Sequence, residues 1–324
     1  MNAPMAPRNI PLPAEGEGGV FSQSWFPVAL SQEVTADAVF GTEFLDGRIV
    51  LFRAPDGTPR AMSAYCPHLG ADLTLGKIVD GNVQCAFHHW EYDASGACVK
   101  TGIGDPAPKS ACLFQFPVAE RFGFVWVFNG EEALFDLPTL PFDDAELEFR
   151  AYRVPGELTC DPWVFASNTP DMQHLKVVHK IEFGVEDPHD LVDWHDYGMQ
   201  FSYEGIHQGG VPLVSTAGIR GNSVFYRWGQ YGDFWRGSIV GFGLPRPGHH
   251  VIYSCNAVMK GPAAQDQLDI TQEVSLRTVN EDRELLNTAH YRQGTLTAGD
   301  KTLAKFFHYL RRYPRAHPSR EFIN

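Results

Sequence analysis

A chain of 324 residues has room for about two domains and a core able to bury cofactors. Its 39 acidic against 26 basic residues leave a net charge of −13, which argues against nucleic acid or an anionic membrane surface as a partner. No run of eighteen apolar residues occurs, and the first nineteen residues lack a signal-type apolar stretch, so a soluble cytoplasmic protein is expected.

Residues 1–20 are rich in Pro, Gly, Ala and Glu and read as a flexible tail. From 21 to 140 short strands punctuated by turns (47–52, 82–84, 123–128) indicate a small antiparallel β domain. Two of its loops carry Cys66-Pro67-His68 and Cys85-Ala86-Phe87-His88, each a cysteine followed by a histidine. Two thiolates for one iron and two imidazoles for the other are what a Rieske [2Fe–2S] cluster requires. A closed tetrahedral zinc site uses the same residue types, and any one of the four is compatible with plain core packing. Repetition of the pair in two loops favours the cluster. Gly70, Gly76, Gly81 and Gly96 suit backbone that folds tightly past it. The remaining Cys98, Cys112, Cys160 and Cys255 have no disulfide spacing and read as free thiols.

An acidic, proline-containing passage over 131–147 leads to a second domain, 141–324. A helical stretch over 162–180 is followed by alternating strands, with Val251, Tyr253, Cys255, Ala257 and Met259 on one face, and Leu268, Ile270, Val274 and Leu276 giving another. Helices over 281–293 and 300–312 close the chain. Gathered strands flanked by helices make this an α+β domain with an antiparallel sheet. Within 162–180, His174 and His179 lie five apart, about 140° around a regular helix, so both can face one metal only if the helix bulges or ends between them. Two imidazoles and a carboxylate with open positions make a site for non-haem Fe(II). Asp282, on the apolar face of Leu285, Leu286 and Ala289, is the candidate carboxylate; Asp300 competes with it. In its own helix's first turn, Asp282 would equally serve the helix dipole alone. Tyr203, Phe225, Tyr226, Trp228, Phe234, Trp235 and Tyr253 are candidates to line an apolar pocket. No glycine fingerprint for a dinucleotide follows a strand, so electrons must come from another protein.

From about Trp25 onward the chain resembles the catalytic (alpha-type) subunit of Rieske non-haem iron oxygenases: Cys66, His68, Cys85 and His88 match the cluster motif, and Asn168, Asp171, His174 and His179 match the second motif of that family. The resemblance implies a Rieske domain joined to a helix-grip catalytic domain, with a [2Fe–2S] cluster and a mononuclear Fe(II) completed by Asp282, and Asn168 near the iron. It implies a homotrimer in which Asp171 bridges cluster ligand His88 of one copy and His174 of the next. It also implies a separate NAD(P)H-dependent reductase, with or without a ferredoxin. The length is that of the shorter homotrimeric enzymes, so O2-dependent hydroxylation or demethylation of a largely apolar, cyclic or aromatic molecule is expected, with ring cis-dihydroxylation or simple electron carriage as alternatives. Two positions depart from the family pattern: Ala86 and His89 stand where Pro and Gly are usual.

Overall fold

A computed structural model describes residues 11–207, 210–289 and 295–324. The chain opens with β1 (Phe21–Ser22) and β2 (Trp25–Leu30), followed by a three-stranded sheet of β3 (Phe40–Phe44), β4 (Gly47–Arg53) and β5 (Pro59–Ser63). A second small sheet, β6 (Lys77–Val79), β7 (Asn82–Gln84), β8 (Glu91–Tyr92) and β9 (Cys98–Lys100), presents the two Cys/His loops. Asp80 and Gly81, both at positive φ, form the two-residue turn between β6 and β7. β10 (Val118–Arg121) and β11 (Phe124–Phe128) then pair with β2.

The second half is built on β12 (Leu147–Leu158), then α1 (Pro162–Ala166) and α2 (Met172–Val177), then β13 (Glu182–Phe183), β14 (Val192–His195), β15 (Gly198–His207), β16 (Val211–Arg220), β17 (Val224–Tyr231), β18 (Phe234–Arg246) and β19 (His249–Met259). These strands make one antiparallel sheet in the order β12-β19-β18-β17-β16-β15-β13, with β14 on β15. α3 (Ala264–Leu286) and α4 (Lys301–Arg312) follow, and β20 (Arg315–Ala316) returns to pair with β1. This is the expected α+β architecture. No helix among the described residues is long and apolar enough to cross a membrane.

Both faces of the large sheet are covered, which is why β18 is buried almost throughout. One face carries α1, α2, α3 and α4 over the largest core cluster. On the other, the β2–β11 sheet packs through Trp126, Phe124 and Phe128 against Tyr226, Ile239 and Tyr253. The approach is close at Gly241, where a Cβ would stand 2.6 Å from Trp126 and from Pro27.

Four expectations are corrected. The tail is not loose over its described part: Glu15 is 3% exposed, and its carboxylate accepts hydrogen bonds from Ser22 and Asn222. Leu268, Ile270, Val274 and Leu276 belong to a helix, not a strand, because α3 starts at Ala264 and buries Leu268, Thr271, Ser275, Val279 and Asp282 at spacings of three and four. The helix expected over 281–293 is the end of α3, and 290–293 lie outside the described residues. Of the seven aromatics proposed for the pocket, Tyr226, Trp228, Trp235 and Tyr253 face the β2–β11 sheet instead.

Candidate metal centres

The two loops of the small domain are built alike. Gly70 N donates to Cys66 O at 2.8 Å and His89 N to Cys85 O at 3.0 Å; Cys66 N and Cys85 N in turn donate to Ala71 O and Trp90 O. Each loop thus buries its cysteine and projects its histidine: Cys66 and Cys85 are 3% and 1% exposed, His68 is half-buried and His88 exposed. The two imidazole rings meet edge to face at 4.6 Å, and His68 stacks on Trp90 at 4.3 Å. His89 occupies the place of Gly70, with φ at +55°.

These residues fit a cluster. The thiols are free and near each other; burial pushes the Cys66 thiol up, and Cys85 adds to that, while the Tyr92 hydroxyl 2.9 Å from its Sγ acts the other way. The Nδ1 of His68 is buried with no hydrogen-bond partner, a lone pair awaiting a cation.

The second site joins elements far apart in sequence. α1 stops at Ala166, and α2 begins only after Asp171, whose carboxylate accepts from His174 N at 2.9 Å as an N-cap. α2 then ends at Val177. His179 N still reaches His174 O at 3.4 Å, an i to i+5 contact, and Lys180 turns the chain with φ at +53°. Helix termination with a π-type last turn therefore swings His179 round to His174.

His174 Nε2 and His179 Nε2 lie 2.9 Å apart, and Asp282 Oδ1 lies 3.2 and 3.5 Å from them. Asp282 sits one turn before the C-terminal end of α3, the end whose dipole disfavours a carboxylate, so the dipole does not account for it. It is 3% exposed, and its Oδ1 has no aligned hydrogen-bond partner. Burial presses its carboxyl up, but the two imidazoles outweigh this and hold it below the usual carboxylate range. Three electron-pair donors converging on one point suit a divalent cation of the His–His–carboxylate type. Asp300 is spent elsewhere: it binds Thr297 and Gln173 beside α4.

Glu281, which the sequence reading assigned no role, faces the other side of His179, its Oε2 3.5 Å from Nδ1. Its position next to Asp282 was the available signal. The three donors open on a cleft. Tyr203 and Phe225 line it, with Phe165, Phe201 and Phe242, and so does Asn168.

Residues 24–117 match the Rieske [2Fe-2S] domain. The chain is 34% identical over 161 residues to the oxygenase component of dicamba O-demethylase from Stenotrophomonas maltophilia, spanning 48% of this chain and 47% of that one. It is 30% identical over 199 residues to cholesterol 7-desaturase nvd of Bombyx mori, spanning 58% and 43%. The chain thus matches about half the length of these curated relatives. A crystal structure of dicamba monooxygenase bound to 3,6-dichlorosalicylic acid shares the fold, with a TM-score of 0.72 at 20% identity over 90% of this chain and 97% of that one. Residues 24–117 thus form a Rieske [2Fe-2S] domain, and the chain shares the fold of dicamba monooxygenase and is similar over about half its length to oxygenase components.

Proposed function

We propose that the chain is the terminal oxygenase of a multicomponent system, hydroxylating or demethylating a largely apolar organic substrate with O2. Electrons come from NAD(P)H through a separate reductase, with or without a ferredoxin. The observation that carries this reading is the convergence of His174, His179 and Asp282 at the wall of a cleft, in a chain that also has a Rieske domain. The relatives' names, an O-demethylase oxygenase component among them, support it.

In this reading Cys66, His68, Cys85 and His88 hold the [2Fe–2S] cluster, and His174, His179 and Asp282 hold Fe(II). Bound there, the cluster supplies single electrons and the iron supplies activation of O2. Glu281 orients His179 through its far nitrogen, as outer partners of metal-binding histidines do. Phe165, Phe201 and Phe242 keep water from the reacting face. Asp171 couples His88 of one copy to His174 of the next in a homotrimer, a role compatible with its hold on the His174 backbone.

The test is a substrate screen with a surrogate reductase under 18O2, read by product mass. One labelled oxygen, or loss of a methyl group, is expected. Two labelled oxygens would move the assignment to dihydroxylation, and unchanged substrate with full electron uptake would reduce the chain to an electron carrier.

A further inference from the structure

The cleft carries positive charge beside an acid already engaged: Asp282, the carboxylate that lines it, faces His174 and His179. Arg227 of β17 lines it. Arg227 pairs across the sheet with Ser238 of β18, and Arg236, two residues before Ser238 on the same face, lies diagonal to it. Arg236 is 7% exposed, its Nε has no hydrogen-bond partner, and its guanidinium stands 3.9 Å over the ring of Tyr231. Arg277 of α3 is near enough for its charge, like that of Arg227, to act on Arg236. Burial first, then these two neighbours, lower the Arg236 guanidinium to about 10.

No ion pair among the described residues uses Arg227, Arg236 or Arg277. Residues 1–10, 208–209 and 290–294 contain neither Asp nor Glu, so no carboxylate outside the described residues supplies the missing partner. An unpaired buried guanidinium is costly. It is tolerable beside a cleft if an incoming anion completes it.

We propose that Arg227, backed by Arg236 and Arg277, anchors an oxyanion carried by the organic substrate, a carboxylate or sulfonate. The planar guanidinium of Arg227 matches such a group with two parallel hydrogen bonds. The His174–His179–Asp282 site lines the same cleft, so an anion held at Arg227 leaves the rest of the molecule to be presented to that site. The assignment of the anion's carrier as substrate rests on the oxygenase reading; the anion site itself does not.

Isothermal titration calorimetry on the whole protein, loaded with cluster and iron, tests this with benzoate, benzenesulfonate and benzamide. Benzoate is expected to bind more weakly as salt is raised, and roughly tenfold or more tighter than benzamide. Arg227→Gln should abolish that preference, with an unchanged Rieske electron paramagnetic resonance signal showing that the variant folds; Arg227→Lys should retain part of it. Benzenesulfonate binding like benzoate would indicate a general oxyanion site, and weaker binding a carboxylate-shaped one. Equal binding of benzoate and benzamide in the unmutated protein, no binding of either anion at millimolar concentration, or unchanged benzoate binding in Arg227→Gln overturns the proposal. Oxygenation of a neutral substrate without any anion preference would sink the anion site and leave the oxygenase standing. Anion binding without oxygen incorporation would do the reverse.

Discussion

The two candidate metal sites are assembled by opposite means. The cluster loops are local: Cys66 to His88 is one stretch, and matched backbone hydrogen bonds pose each cysteine–histidine pair. The His174–His179–Asp282 site is long-range, made by a broken helix and by a helix from a distant part of the chain. A local site survives changes elsewhere in the fold; a long-range one depends on the packing of α2 against α3.

The comparison implies independent loading, and this gives the largest expected effects. Asp282→Ala should lose turnover by on the order of 100-fold or more while keeping the Rieske signal; Cys85→Ser should bleach the protein and keep the other site. Loss of both sites in either variant would show that they are not separate. Asp171→Asn sharpens the link between them: it should keep both metals and slow NADH-driven turnover, on the order of 100-fold if positioning is lost. Turnover equal to the unmutated protein's would remove the bridging role.

Histidine burial offers a control outside both sites. His250 is fully buried, its Nδ1 2.7 Å from Cys160 O, and burial lowers its pKa from 6.5 to about 4. The unfolded chain takes up a proton near 6.5 and the folded one only near 4, so stability falls as pH drops through that window. The loss should reach about 3 kcal/mol, measured by denaturant unfolding, and His250→Gln should flatten the profile if it folds.

Smaller effects belong to the cluster loops. Tyr92→Phe removes the hydroxyl 2.9 Å from Cys66 Sγ. A lost hydrogen bond of about 1 kcal/mol should lower the cluster potential by roughly 40 mV in voltammetry. His89→Gly places glycine at the left-handed position that Gly70 fills in the sister loop, and should stabilise the protein by about 0.5–1 kcal/mol. A destabilised variant would mean that the imidazole makes up for its strain.

The difference between the sites also governs what was legible in the sequence. Four ligand-type residues in two repeated pairs need no tertiary information, so the cluster could be read directly. His174 and His179 were readable as a pair that a regular helix cannot align, and the helix does end between them. Asp282 was sought on a stripe with Leu285, Leu286 and Ala289, but Leu285 and Ala289 are exposed. Its helix was also misplaced: the buried face of α3 includes Thr271 and Ser275, so hydrophobic period alone favoured a strand upstream. The faces of β17 and β18 were illegible. Both sides of that sheet are buried, so alternation could not tell Phe225 and Arg227, on the cleft, from Tyr226, on the Rieske side.

The central claim is that one chain holds two separate metal sites, and iron analysis with electron paramagnetic resonance tests it most directly. The account predicts three irons per chain in the unmutated protein, and two in Asp282→Ala with an undiminished Rieske signal. Two irons in the unmutated protein, or three in the variant, would contradict it.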